Sequence, residues 1–328
     1  MNVLSHPFDR LDPARVVASV ESLGFYLLGE PFALNSYENR VYLVSDDEQR
    51  RWVAKFYRPA RWTNGAIQEE HDFLQELKAA GVAVAAPWRN EQGQSLHQHE
   101  SYRFALFPNL PGQAPELENP AHLFALGDVI GAAHCVGKQG VFAHRQRLAL
   151  GDMACDASEA VLSSGWLSVR QEAAYRRVTD KLCAQLSRVD MEGVQIIRVH
   201  GDCHVGNMLG RDDHFALVDF DDCLMAPAVQ DLWMLLTAQH EADWQLQFSE
   251  VIEGYEQHID FDRRELQLIE PLRTLRLIRY SAWLLARRDD PAFPLAFPWL
   301  NDESYWSAHI RELEQQRQAM EQKTRWLA

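Results

Sequence analysis

No Gly-x-Gly-x-x-Gly string occurs anywhere in the 328 residues, so a glycine-rich phosphate loop in its usual form is excluded. Cysteine is sparse, with five residues at 135, 155, 183, 203 and 223, an odd count without a Cys-x-x-Cys pair. That excludes a disulfide framework and fits reduced thiols. Basic residues are the minority, 32 against 47 acidic ones, giving a net charge of −15. A dedicated nucleic-acid binder would carry a basic footprint, so that class is set aside. Long apolar runs are missing too, and the opening MNVLSHPFDRLDP is interrupted by charges and prolines. The expectation is a cytoplasmic protein without a membrane partner. Neither an internal repeat nor a low-complexity tract is found.

Hydrophobic residues make up 47% of the chain, enough for two cores, and its length exceeds one usual core. Strand-like runs come first, near Ala33, Val41, Val53 and Tyr102–Phe107, with helices at about Pro13–Leu23 and around Glu70. The segment FPNLPGQAPE, Phe107 to Glu116, is rich in Pro and Gly and reads as a hinge. Helical periodicity follows at about His122–Val136, Ala157–Val189, Val229–Ala238, Gln247–His258, Glu265–Arg287 and Glu303–Gln322. The final QKTRWLA is expected to fray. The predicted class is α+β, with a strand-rich domain over residues 1–107 and a mostly helical one over 108–328.

The densest chemistry lies in VHGDCHVGNML, Val199 to Leu209, and in DFDD, Asp219 to Asp222. Asp202 and Asn207 stand in the pattern H-x-D-x-x-x-x-N, and Asp219 closes an apolar run. Phosphoryl transfer needs a carboxylate beside the attacking hydroxyl and oxygen ligands for the metal that neutralises the phosphates. Asp202 suits the first role; Asn207 and Asp219 suit the second. Gly210 to Asp213 are turn formers between short apolar runs, and a hairpin centred there brings Asn207 and Asp219 to one end. Such hard oxygen donors fit Mg²⁺, which takes one or two protein ligands besides phosphate and water. His200, Cys203, His204 and Cys223 offer zinc-type donors, but H-x-x-C-H lacks the paired short-range motifs of structural zinc.

HGDCHVGN followed by VDFDD resembles the phosphotransferase family that includes aminoglycoside phosphotransferases and choline kinases. The resemblance runs from about Leu34 to Leu300. It implies a bilobal protein-kinase-like fold with a small antiparallel sheet and a larger helical lobe, and ATP as donor. LNSYENRVY, VAKFYRP, APAVQDLWMLL and PAFPLAFPWL point within the family to bacterial serine/threonine protein kinases. A protein hydroxyl is therefore the expected acceptor, with an amino alcohol or aminoglycoside as the alternative, since the residues above handle the nucleotide. A monomer is expected. A nucleotide-binding pseudokinase is disfavoured by the joint presence of Lys55, Asp202, Asn207 and Asp219.

Lys55 interrupts the strand-like run Trp52 to Tyr57 and is the candidate partner of the α- and β-phosphates. Its carboxylate partner should come from the helix Ala66–Leu77. At 100° per residue Glu70 falls among Ile67, Leu74 and Leu77, whereas Glu69 is turned away by about 90° and should be nearly silent. In place of the glycine loop stand Asn35, Ser36, Tyr37, Glu38 and Asn39, where backbone N–H groups and the Ser36 hydroxyl can meet phosphate. The backbone of Leu106–Asn109 is the expected adenine edge. His200 is assigned a structural role. His204 has two readings, phosphate contact or loop orientation; Asp231 resembles the family's buried aspartate that secures the catalytic loop through backbone N–H groups, with a helix cap as the alternative.

Overall fold

The computed structural model of the chain describes residues 6–211, 213–238, 240–290 and 293–322. The turn residue Asp212 and the carboxy-terminal tail after Gln322 lie outside the described residues. Two compact units form, Met1–Gln146 with Ile196–Phe261, and Arg147–Gln195 with Asp262–Ala328. The sequence division at residue 107 follows the change from strands to helices. The compact units follow contact density and gather the sheet and the H-x-D-x-x-x-x-N string into one body.

In the first unit, helix α1 (Pro13–Glu21) starts where the Asp12 carboxylate accepts from the Arg15 N–H, with Pro13 in the first turn. Strands β1 (Phe32–Leu34), β2 (Arg40–Ser45), β3 (Arg51–Phe56), β4 (His97–His99) and β5 (Tyr102–Pro108) form an antiparallel sheet ordered β1-β2-β3-β5-β4. The period-2 runs RVYLV and WVAKF explain its two faces. Tyr42, Ala54 and Leu106 are direct partners and bury one face, together with Phe56 and Phe104, in a core that includes Val16 and Val20. The opposite face carries Leu34, Val41, Lys55 and Ala105 in one row and Phe32, Leu43, Val53 and Phe107 in the next. Strand β4 had no sequence signal, because three residues rich in histidine show no apolar alternation.

Helix α2 (Asn64–Ala79) begins with the Thr63 hydroxyl accepting from Ala66 N–H and buries Ile67, Glu70, Phe73, Leu74 and Leu77 along one stripe. Helix α3 (Pro120–Gly137) ends the first stretch of this unit, α4 (Leu150–Leu162) and α5 (Val169–Leu186) belong to the second, and the chain then returns. Strand β6 (Ile197–Val199) pairs with β9 (Leu224–Ala226), and β7 (Met208–Arg211) with β8 (His214–Leu217). The short α6 (Val229–Leu232) runs into a 3-10 turn, and α7 (Glu241–Tyr255) packs on α3. That helix pair depends on glycine. A Cβ at Gly127 would overlap the Val251 carbonyl, and one at Gly254 the Phe124 carbonyl.

The second unit holds α4, α5, α8 (Ile269–Arg287), α9 (Phe293–Ala296) and α10 (Glu303–Glu321). The single helix expected over Ala157–Val189 is two. Gly165 at φ +72° breaks the first, and Ser168 with Gln171 builds a capping box that starts the second. Among the described residues no helix is long and apolar enough to cross a membrane. All five cysteines are free thiols.

Candidate active site

Strand β3 carries Lys55 in register with Val41 and Ala105, on the sheet face opposite the aromatic core. Its ammonium is buried and meets three carboxylates, Glu70 Oε1 at 3.4 Å, Asp219 Oδ1 at 3.0 Å and Asp221 Oδ1 at 3.0 Å. Burial alone would lower its pKa, but Asp219, Asp221 and Glu70 together hold it well above the usual lysine value. The helical phase is borne out for position 70. Glu70 points inward at 1% exposure and is shared between Lys55 and Arg145, whose Nη2 donates to Oε2 at 2.7 Å. Burial raises the Glu70 pKa against the pull of those two cations.

Glu69 overturns one expectation. It is not idle on an open flank, since its carboxylate accepts from three consecutive backbone N–H groups, of Ala143, His144 and Arg145. Helical phase gave its direction, but the loop after α3 folds back to meet it. That contact fixes Arg145, which also donates to Ala66 O and Asp221 O and stacks on Trp62 at 4.5 Å.

The loop after β6 is built around its backbone. Gly201 takes φ +89°, and a Cβ there would overlap the Asp222 carbonyl, so the glycine of HGD is required twice over. Asp231 accepts from the N–H of His200 at 2.7 Å and of Gly201 at 2.8 Å, and meets His134 Nε2 at 3.0 Å. Asp231 lies inside α6 and makes no cap bond, so the loop-anchor alternative is the one realised. His134 in turn meets the Tyr255 hydroxyl at 3.0 Å, an arrangement set by the glycine contacts of α3 and α7. His200 Nδ1 accepts from Asp202 N–H and Nε2 lies 2.9 Å from Val218 O, which fixes the Nε2–H tautomer and a structural role.

Asp202 follows, with its side chain 28% exposed and Oδ2 3.4 Å from His204 Nε2. The Asn207 amide donates to the Asp202 carbonyl at 3.0 Å, and Val218 N–H donates to Asn207 O at 3.0 Å. Thus the β7–β8 hairpin sets Asn207 beside the residue that precedes Asp219, as the turn spacing required. Asp219 adopts a left-handed backbone, φ 60°, tolerated by Asp more readily than by most residues. His204 Nδ1 accepts from Gly206 N–H and orders the turn before Asn207. The zinc-type donors are engaged elsewhere or deeply buried. Burial pushes the Cys203 thiol well above its usual value, and Cys223 likewise.

The structure thus joins Lys55, Glu70 and Asp219 directly, and Asp202 and Asn207 through backbone. The Ser36 carbonyl accepts from Arg40 at 3.3 Å. At the expected adenine edge, Leu106 O accepts from Trp88 N–H and Asn109 N–H donates to Arg51 O, so these two groups serve the fold. Residues that sequence reasoning passed over are Arg61, Arg145 and Asp221. Asp221 stood in the quoted DFDD string; it is 4% exposed, and Lys55, Arg61 and Arg145 hold its carboxyl far below the usual range although burial raises it.

A sheet-borne lysine paired to a helix carboxylate, beside an H-x-D-x-x-x-x-N loop and an acidic hairpin end, is the arrangement of a phosphoryl-transfer enzyme. The model of the phosphotransferase enzyme family matches residues 30–269, and the chain belongs to that family. It is 40% identical over 306 residues to stress response kinase A of Escherichia coli K12, covering 93% of this chain and 92% of that one. It matches the serine/threonine protein kinase RdoA of Salmonella typhimurium at 40% identity and the same coverage. Among solved structures, amicoumacin kinase hAmiN superposes with TM-score 0.75 at 20% identity, over 93% of both chains. The microcompartment-associated aminopropanol kinase gives 0.71 at 16%, over 94% of this chain and 99% of that one. The α+β, kinase-like fold expected from the sequence is the fold observed, and the protein is a kinase.

Proposed function

We propose that the protein is a cytoplasmic serine/threonine protein kinase that transfers the γ-phosphate of Mg-ATP to a protein hydroxyl. The observation that carries the protein acceptor is the 40% identity to the serine/threonine protein kinase RdoA across 93% of the chain. Lys55 would bind the α- and β-phosphates, with Glu70 holding it in place and backbone N–H groups of residues 35–39, with the Ser36 hydroxyl, covering the phosphates. The adenine would lie against Val41, Leu43 and Val53, which are half-buried on the Lys55 face of the sheet. The neighbouring Phe32 is 66% exposed, an apolar surface that a base ring suits.

Asn207 and Asp219 offer hard oxygens at one end of a hairpin, and this donor set fits magnesium. When bound, the ion would neutralise phosphate charge. Asp202 would orient the acceptor hydroxyl and take its proton as the new P–O bond forms and the bond from γ-phosphorus to the β,γ-bridging oxygen breaks.

A second reading, a kinase for an amino alcohol or aminoglycoside, is favoured by the fold likeness to the amicoumacin and aminopropanol kinases. Purified protein supplied with γ-labelled ATP, generic protein substrates and an amino-alcohol panel separates the two. Label on protein serine or threonine supports the first reading; label confined to a small molecule refutes it.

A further inference from the structure

Arg61, in the segment between β3 and α2, bridges three carboxylates. Its Nη1 lies 2.9 Å from Glu38 Oε1 and 2.9 Å from Asp221 Oδ2, and its Nη2 lies 2.7 Å from Asp222 Oδ1. Glu38 belongs to the 35–39 loop. Arg58 secures the same loop, donating to the carbonyls of Glu38 at 2.8 Å and Tyr37 at 2.9 Å, while its own N–H donates to Asn39 Oδ1 at 3.1 Å. A glycine loop approaches phosphate because it lacks side chains. This loop has no glycine, and its position is set instead by guanidinium ties from the segment that follows β3.

The charges at the other end matter equally. Asp219, Asp221 and Asp222 crowd three carboxylates into four residues, and Lys55 contacts the first two. Arg61 takes the second oxygen of Asp221 and one of Asp222, so the acidic cluster does not rest on Lys55 alone. Without Arg61, a buried carboxylate would keep Lys55 as its main partner and compete with nucleotide phosphate for it.

We infer that Arg61 is a positioning residue of the nucleotide site, a clamp that holds the glycine-free loop to the acidic cluster and leaves Lys55 and Asp219 available to the nucleotide and its metal. The inference rests on the Mg-ATP reading above. It requires that Arg61 act on nucleotide affinity rather than on the chemical step.

Calorimetric titration with β,γ-imido-ATP, with and without magnesium, is the direct test, alongside steady-state kinetics. Arg61→Gln should weaken magnesium-nucleotide binding by about tenfold or more and raise KM for ATP in parallel, while kcat at saturation stays within about threefold. Arg61→Lys should recover only part, because one ammonium cannot span three carboxylates in a planar fork. Glu38→Gln, at the loop end, should shift affinity in the same direction. Combined with Arg61→Gln it should add little. Should Arg61→Gln fail to fold, the Glu38 variant decides. Normal affinity in these folded variants, or a fall in kcat at unchanged KM, overturns the clamp alone. A wild-type protein that binds no nucleotide overturns the Mg-ATP reading together with it.

Discussion

At Asp202 the carboxylate keeps 28% of its surface open while the backbone around it is tied by the Asn207 amide and the Asp231 carboxylate. In its proposed role as base, a fixed but accessible carboxylate would act on the transition state rather than on nucleotide affinity. Asp202→Asn is therefore expected to lower kcat by at least about a hundredfold while leaving β,γ-imido-ATP affinity near wild type. Turnover by a folded variant at near-normal rate would remove Asp202 from that role. On α2, Glu70→Gln should reduce activity, and its loss together with Lys55→Met should fall short of the sum of the single losses, because both serve one pair. Glu69→Gln should not be silent. Replacing a carboxylate that accepts three N–H bonds should cost about 1–3 kcal/mol of stability and some activity through Arg145, read from denaturant midpoints and initial rates.

Between elements, the path to the loop after β6 runs through α3 and α7. Their glycine contacts bring His134 to the Tyr255 hydroxyl and to Asp231, which holds the His200 and Gly201 N–H groups. Alanine has better helix propensity than glycine, by up to about 1 kcal/mol. At Gly127 the overlap with the Val251 carbonyl opposes that gain. Gly127→Ala is expected to destabilise by about 1–3 kcal/mol and to lower activity, although no catalytic group is altered. A raised melting temperature with unchanged activity would show that the helices can part without moving the loop.

For the molecule as a whole, one buried histidine ties folding to pH. His71 sits between the Tyr57 hydroxyl at 2.7 Å and the Ser95 hydroxyl at 2.9 Å, and burial, with Lys55 and Arg145 nearby, lowers its pKa from 6.5 to about 3. Unfolded chain thus binds a proton at that ring below pH 6.5 that folded chain refuses. Its contribution is present above pH 6.5 and is lost as pH falls toward 3, at up to about 1.4 kcal/mol per pH unit. Urea unfolding from pH 7 to 4.5 should show a declining midpoint for the native protein and a shallower decline for His71→Gln. Equal slopes would mean that the ring titrates normally in the folded state.

Residues close in sequence could be paired from the sequence alone. The turn formers Gly210 to Asp213 dictated the hairpin that brings Asn207 toward Asp219, helical phase turned Glu70 inward, and strand-like runs marked every strand of the sheet except β4. Each of these is a local rule of spacing. Tertiary structure alone decided the rest. Arg145 reaches Glu70 across 75 residues and Arg61 reaches Asp222 across 161, and an arginine in a loop carries no periodic mark of its future partner. Glu69 looked idle because helical phase gives only the direction of a side chain, while the backbone it caps comes from a loop 74 residues away. Long-range ion pairs form where separate elements converge, so the chain's order could supply Glu70, Asp202 and Asp219 but neither the part of Asp221 nor the guanidinium groups that hold these carboxylates in place.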